Sequence, residues 1–242
     1  MKKLYILFLI LLQFGFSVLA ENSAPTSVSS TDQTKTKMTI PSNAVLDPSI
    51  TDKASEIVIE DVHISSYSTL FNQGKSTELK MINHGMRKKK VFGLATVKVY
   101  MLEFFAADPT QLNKSEDGIL GSLKKAQPVE LKLSMERDLS GKKITDSFKE
   151  ALEHNGVDIN NLSKEMSELI SELSTVKEFE KGQSISLLAT WKDANATLFV
   201  KRADGTIKTI TGNEAFVTDL FAIWFGKPAD DKLADLKKLL IK

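Results

Sequence analysis

The chain divides by pattern into an apolar head, a polar stretch without periodicity, and a body in which apolar and polar positions alternate. Period-two alternation predicts strands, and apolar residues spaced three and four apart predict helices. Ile57, Val58, Ile59, Val62 and Ile64 predict a first strand, and Asn72 to Ser76 predicts a turn. Glu78 to Asn83 begins a second strand, with Leu79 and Met81 on one face. From Asn83 to Phe105 the chain reads as one long strand-like stretch around which the rest is organised. It opens on Gly85-Met86-Arg87, crosses Lys88 to Lys90, and runs on with Leu94, Thr96, Lys98 and Tyr100 alternating against Ala95, Val97, Val99 and Met101. Both faces are largely apolar, so this strand should be covered on each side.

Asp108-Pro109 ends it, and residues 115–125 predict a short helix. After Pro128, Val129, Leu131, Leu133 and Met135 alternate with Glu130, Lys132, Ser134 and Glu136, which predicts one buried and one solvated face. Two helices follow. Ile144, Phe148, Ala151 and Leu152 mark the first, stopped by Asn155-Gly156; Leu162 to Val176 carry the second, with Asp158 as its candidate cap. Gly182 breaks the period, Ile185 to Trp191 alternate again, and Asp204-Gly205 predicts a type I′ hairpin between Leu198–Lys201 and Thr206–Ile210. Asn213 can cap a helix bearing Phe216, Leu220, Ile223 and Trp224, closed by Gly226 and Pro228, and residues 230–242 predict a last short helix. Strands, helices, strands, helices, with no βαβ regularity, predict an α+β fold in which helices gather over one face of an antiparallel sheet.

The head changes the picture of where the protein works. Lys2 and Lys3, the apolar run Leu4 to Phe16 and Val18-Leu19-Ala20 have the three parts of a cleaved export signal, and the run is short of the roughly 20 residues of a membrane span. Residues 1–20 are therefore expected to be a signal peptide and 21–55, rich in Ser and Thr with three prolines, a disordered linker; residues 56–242 form the domain. A protein without cysteine that is exported, periplasmic or secreted, suits a bacterial envelope. No stable membrane span is expected after cleavage. Net charge is +1, and removing Lys2 and Lys3 leaves 30 basic against 31 acidic residues, so no nucleic-acid partner is expected. The oligomeric state is not legible.

Candidate chemistry is sparse. Arg87 feeds an apolar segment, where its planar fork would suit a carboxylate, yet it also opens the run Arg87-Lys88-Lys89-Lys90 and fits a surface position equally well. Tyr100 is either core packing or a hydroxyl that meets the same carboxylate. His63, His84 and His154 have no ligand spacing, and neither a phosphate loop nor a nucleophile elbow is present, so no metal, cofactor or catalytic residue is expected.

Three segments in this order, NHGMRKKKVFGLATVKVYML, MERDLSGKKITDSFKEALEHN and TGNEAFVTDLFAIWFGKPADDKLADLKKLLIK, resemble the chalcone isomerase-like family in its bacterial exported branch. The resemblance implies an open-faced β-sandwich, a curved antiparallel sheet with a helical layer and a cleft between them. In plants that fold serves the flavonoid-forming isomerase and also non-catalytic fatty-acid binders, in which an arginine after a glycine and a tyrosine on the following strand hold the carboxylate. Arg87 and Tyr100 are the matching positions, and thus the implied ligand-binding residues. The isomerase's threonine, tyrosine and asparagine fall at Ala95, near Ile144 and near Ala151, so its hydrogen-bond network looks missing. The expectation is a non-catalytic exported binder of a small apolar carboxylate, a fatty acid being the class expected. An isomerase of the chalcone isomerase type and an envelope structural or interaction protein stand as alternatives.

Overall fold

The computed structural model describes residues 48–91 and 95–242. The expected signal peptide, and all but the last residues of the expected linker, lie outside the described residues. Eight strands form one antiparallel sheet in chain order: β1 (Ser49–Ile59), β2 (Val62–Asn72), β3 (Lys75–Val91), β4 (Ala95–Ala106), β5 (Val129–Met135), β6 (Ser184–Lys192), β7 (Asn195–Lys201) and β8 (Ile207–Asn213). Among the described residues five α-helices accompany it: α1 (Ile119–Ser122, continued as a 3₁₀ turn over Leu123–Ala126), α2 (Gly141–His154), α3 (Lys164–Ser174), α4 (Glu214–Phe225) and α5 (Asp231–Leu240). The sheet curls into a half-barrel, and the fold is the expected α+β architecture.

The curl gives the sheet two cores. On the helix side, Leu102, Phe104, Leu131 and Leu133 pack against Phe148, Leu169, Phe221 and Trp224, with Phe104 tilted at 53° against Phe225, ring centres 4.9 Å apart, and Phe148 edge-on to Trp224 at 5.3 Å. On the inside of the curl, Ile50, Leu70, Leu79, Phe105, Leu188 and Phe199 form a second cluster. β1 meets β7 across this interior, where the Lys201 ammonium donates to the Ile50 carbonyl at 2.8 Å.

That closure overturns one sequence expectation. Glu130, Lys132 and Ser134 of β5 do not face water: Glu130 is fully buried and Ser134 nearly so, because β1 and β2 cover them. Alternation reports which residues share a face, and here the polar face is also inside the protein.

Other differences are local. The expected first strand, Ile57 to Ile64, is two strands joined at Glu60 and Asp61, whose φ values of 51° and 73° make a tight turn. β1 starts at Ser49, so residues 49–55 belong to the sheet rather than to the linker, and Ile57 and Val58 at the hairpin end are exposed. The stretch from Asn83 to Phe105 is likewise two paired strands rather than one. At Asp204-Gly205 only the glycine has positive φ (84°), and the Arg202 N–H reaches the Thr206 carbonyl at 2.9 Å, so the loop is not type I′. The cap of α3 is Ser163, whose hydroxyl accepts from the Met166 N–H at 3.1 Å; Asp158 accepts from Asn160 in the preceding turn. Ser140, Asn213 and Asp230 cap α2, α4 and α5.

Candidate functional site

Between the sheet and the helices lies a cavity of about 500 Å³, within the range of small-molecule pockets. Its floor is the β3–β4–β5 region of the sheet, and its walls come from α2, α4 and α5. Val99, Leu133, Met135, Ile144, Phe148 and Ile223 give it an apolar interior.

Two β-bulges decide what the floor presents. β3 carries one extra residue at Ile82, since Met81 pairs with Phe105 and Asn83 with Phe104. From Met81, which packs inside the curl, strict alternation would turn Gly85 and Arg87 inside as well; the extra residue turns them to the helix side. β4 carries its own extra residue at Val99, since Arg87 pairs with Tyr100 and Lys88 with Lys98. Strict alternation puts Tyr100 on the face opposite Val97 and Val99; the bulge brings all three onto the cavity wall. Arg87 and Tyr100 therefore lie side by side across a strand pair rather than one leading into the other.

Arg87 is not a surface member of its basic run. Its side chain is 11% exposed, against 44% for Lys89 and 56% for Lys90. The guanidinium donates to both carboxylate oxygens of Asp230, at 2.9 and 2.5 Å, and to the Lys88 carbonyl. Asp230 also caps α5 by accepting from the Leu233 N–H at 2.8 Å. Burial acts to raise the Asp230 carboxyl, but the hydrogen bonds from Arg87 and Leu233, with the Arg87 charge, outweigh it and hold the group below its usual range.

The Tyr100 oxygen accepts from the Trp224 indole N–H at 2.9 Å. Burial pushes the phenol up, against the pull of the neighbouring Arg87 charge, so it stays protonated at neutral pH. With its oxygen engaged by Trp224, the Tyr100 hydroxyl has no acceptor for its proton among the described residues, and Tyr100 lines the cavity. An oxygen acceptor entering the cavity would meet a phenolic donor and a guanidinium together.

The mouth is charged. Lys89 pairs with Glu150 at 3.5 Å, Asp146 with Lys142 at 2.6 Å, and Lys143 and Arg137 line the opening beside them. Ile144 and Ala151 sit on the cavity wall as apolar residues, whereas Ala95 is exposed at the start of β4. Gly85 supplies a different service. A Cβ there would stand 2.7 Å from Leu236 Cδ1 and 3.2 Å from Leu239 Cβ, so the glycine lets α5, which carries Asp230, lie close on β3 without displacing these leucines. Asp230 and Trp224 are the residues that the sequence did not announce as part of the site.

Comparisons agree with this architecture. The crystal structure of a fatty-acid binding protein from Arabidopsis thaliana matches with a TM-score of 0.52 and 14% identity, covering 76% of this chain and 95% of that one, and at that identity the likeness concerns the fold. A search of curated proteins finds no match. A family model described as chalcone isomerase-like matches residues 58–240, which is most of the chain. The protein therefore belongs to the chalcone isomerase-like family.

Proposed function

We propose that the protein is an exported, non-catalytic binding protein for a small apolar carboxylate, a fatty acid being the class that fits, with the head group at Arg87 and Tyr100 and the tail along the apolar cavity. The observation that carries this reading is the Tyr100 hydroxyl: its oxygen is taken by Trp224, its proton lacks an acceptor among the described residues, and the Arg87 guanidinium stands beside it. A carboxylate accepts from both donors, and charge-assisted hydrogen bonds of this kind are the strong ones. Each methylene buried in the cavity would add about 0.8 kcal/mol. The fatty-acid binding named for the Arabidopsis neighbour supports the same ligand class. Ile144 and Ala151 offer no hydrogen bond with which to orient a phenolate, so an isomerase finds less support. Export rests on the lysine pair, apolar run and small-residue site of residues 1–20.

The test is mass spectrometry of the organic extract of the protein, purified without detergent from an envelope fraction, together with its N-terminal sequence. The expected result is a fatty acid in near-stoichiometric amount and an N-terminus at Glu21. Arg87→Ala should lower the fatty-acid content at least tenfold while circular dichroism stays unchanged. Equal content in the variant would overturn the assignment of the head group, and an N-terminus at Met1 would overturn cleavage.

A further inference from the structure

The fork of Arg87 is already filled by a carboxylate, and that carboxylate belongs to the protein. Asp230 grips it with both oxygens, at 2.9 and 2.5 Å, from the cavity wall, in the same bidentate geometry that a ligand carboxylate would adopt. An incoming anion meets a neutral ion pair rather than a free arginine, and its charge is opposed by Asp230 as long as the pair holds.

We infer that Asp230 is an internal stand-in for the ligand's carboxylate, which a bound acid displaces from Arg87, so that Asp230 sets the affinity of the site for acids relative to uncharged molecules of the same chain length. This deepens the proposed function and rests on it. Three features make the exchange feasible. First, Asp230 satisfies only part of the site: its oxygens are spent on Arg87 and the Leu233 N–H, and the Tyr100 proton is left without an acceptor among the described residues. A ligand carboxylate answers Arg87 and Tyr100 together, which Asp230 does not. Second, the two partners differ in exposure. The Arg87 side chain is 11% exposed and Asp230 37%, so the aspartate can turn to water while the arginine stays. Third, Asp230 keeps a role after release, because the Oδ1 that accepts from Arg87 also accepts from the Leu233 N–H, the bond that caps α5. Displacement thus need not unwind the helix.

The experiment is calorimetric titration of wild type and Asp230→Asn with two probes, palmitate and hexadecanol. Asparagine is an equally good cap, so α5 should keep its start, and thermal melting checks that it does. If melting shows that this variant does not fold, Asp230→Ser, also a capping residue, replaces it. The expected result is that Asp230→Asn binds palmitate about tenfold more tightly and hexadecanol unchanged. Arg87-dependent palmitate binding by the wild type with no tightening in the variant would make Asp230 a structural strut and overturn the inference while leaving the proposed function in place. Equal tightening for both probes would mean a loosened cavity and would also overturn it. Absence of palmitate binding in both proteins would remove the proposed function, and the inference with it.

Discussion

At the scale of single residues, the candidate site rests on the bond from the Trp224 indole N–H to the oxygen of Tyr100, which lines the cavity. Trp224 is 1% exposed, so its N–H has no water to turn to. Tyr100→Phe removes the acceptor and leaves that donor orphaned, which should destabilise the fold by about 1–3 kcal/mol in urea denaturation. Adding Trp224→Phe to Tyr100→Phe should then cost less than the two single changes summed, by a coupling of about 1 kcal/mol. Strict additivity would show that the bond contributes nothing. Arg87 and Tyr100 were named from the sequence through the family resemblance of a glycine, an arginine and a tyrosine-bearing strand, and the fold places the two side by side. Asp230 and Trp224 were not, since they stand 143 and 124 residues from their partners and only the fold brings them there.

At the scale of elements, strands and helices were legible wherever one period held, as in β5, α2 and α4. The bulges at Ile82 and Val99 were invisible for a physical reason: an extra residue on one strand disturbs its pairing and leaves apolar composition unchanged. The Glu60-Asp61 turn was missed because it contains neither glycine nor asparagine, the usual marks of positive φ. Gly85 shows how tightly one element positions another. Gly85→Val places side-chain carbon where Leu236 and Leu239 of α5 already stand, so α5 must lift from β3. The expected cost is about 1–3 kcal/mol, the range for overpacking. Because α5 carries Asp230, the same change should part it from Arg87, and a crystal structure of the variant should show the two groups beyond 4 Å. An unmoved α5 would mean that the strand yields instead.

For the whole molecule, the inside of the half-barrel holds the groups that tie its N-terminal strands to the rest. Among the described residues, Asp52 of β1, Glu103 of β4 and Glu130 of β5 face two ammonium groups, those of Lys132 and Lys201, with the Ser65 N–H and hydroxyl of β2 bound to Glu103 and Lys132. Ser68 of β2 and Ser186 of β6 complete the surroundings of Glu130, whose carboxylate oxygens have no hydrogen-bond partner among the described residues. Three carboxylates against two cations leave a buried negative charge unless one carboxyl is neutral. Burial first, and the Asp52 charge second, push Glu130 up to about 7 from 4.5, so below that pH Glu130 holds a proton. A raised carboxyl means that the folded protein keeps a proton which the unfolded chain releases. Stability from this group is complete below pH 4.5 and is lost as pH rises to about 7. At about 1.4 kcal/mol per tenfold change in proton affinity, the loss is about 3 kcal/mol. Glu130→Gln cannot ionise, so its urea-unfolding free energy should gain about 3 kcal/mol on wild type between pH 4.5 and pH 8, all other carboxylates being common to both proteins. Parallel pH profiles would show that Glu130 is charged in the fold and that the half-barrel closes over a net negative interior.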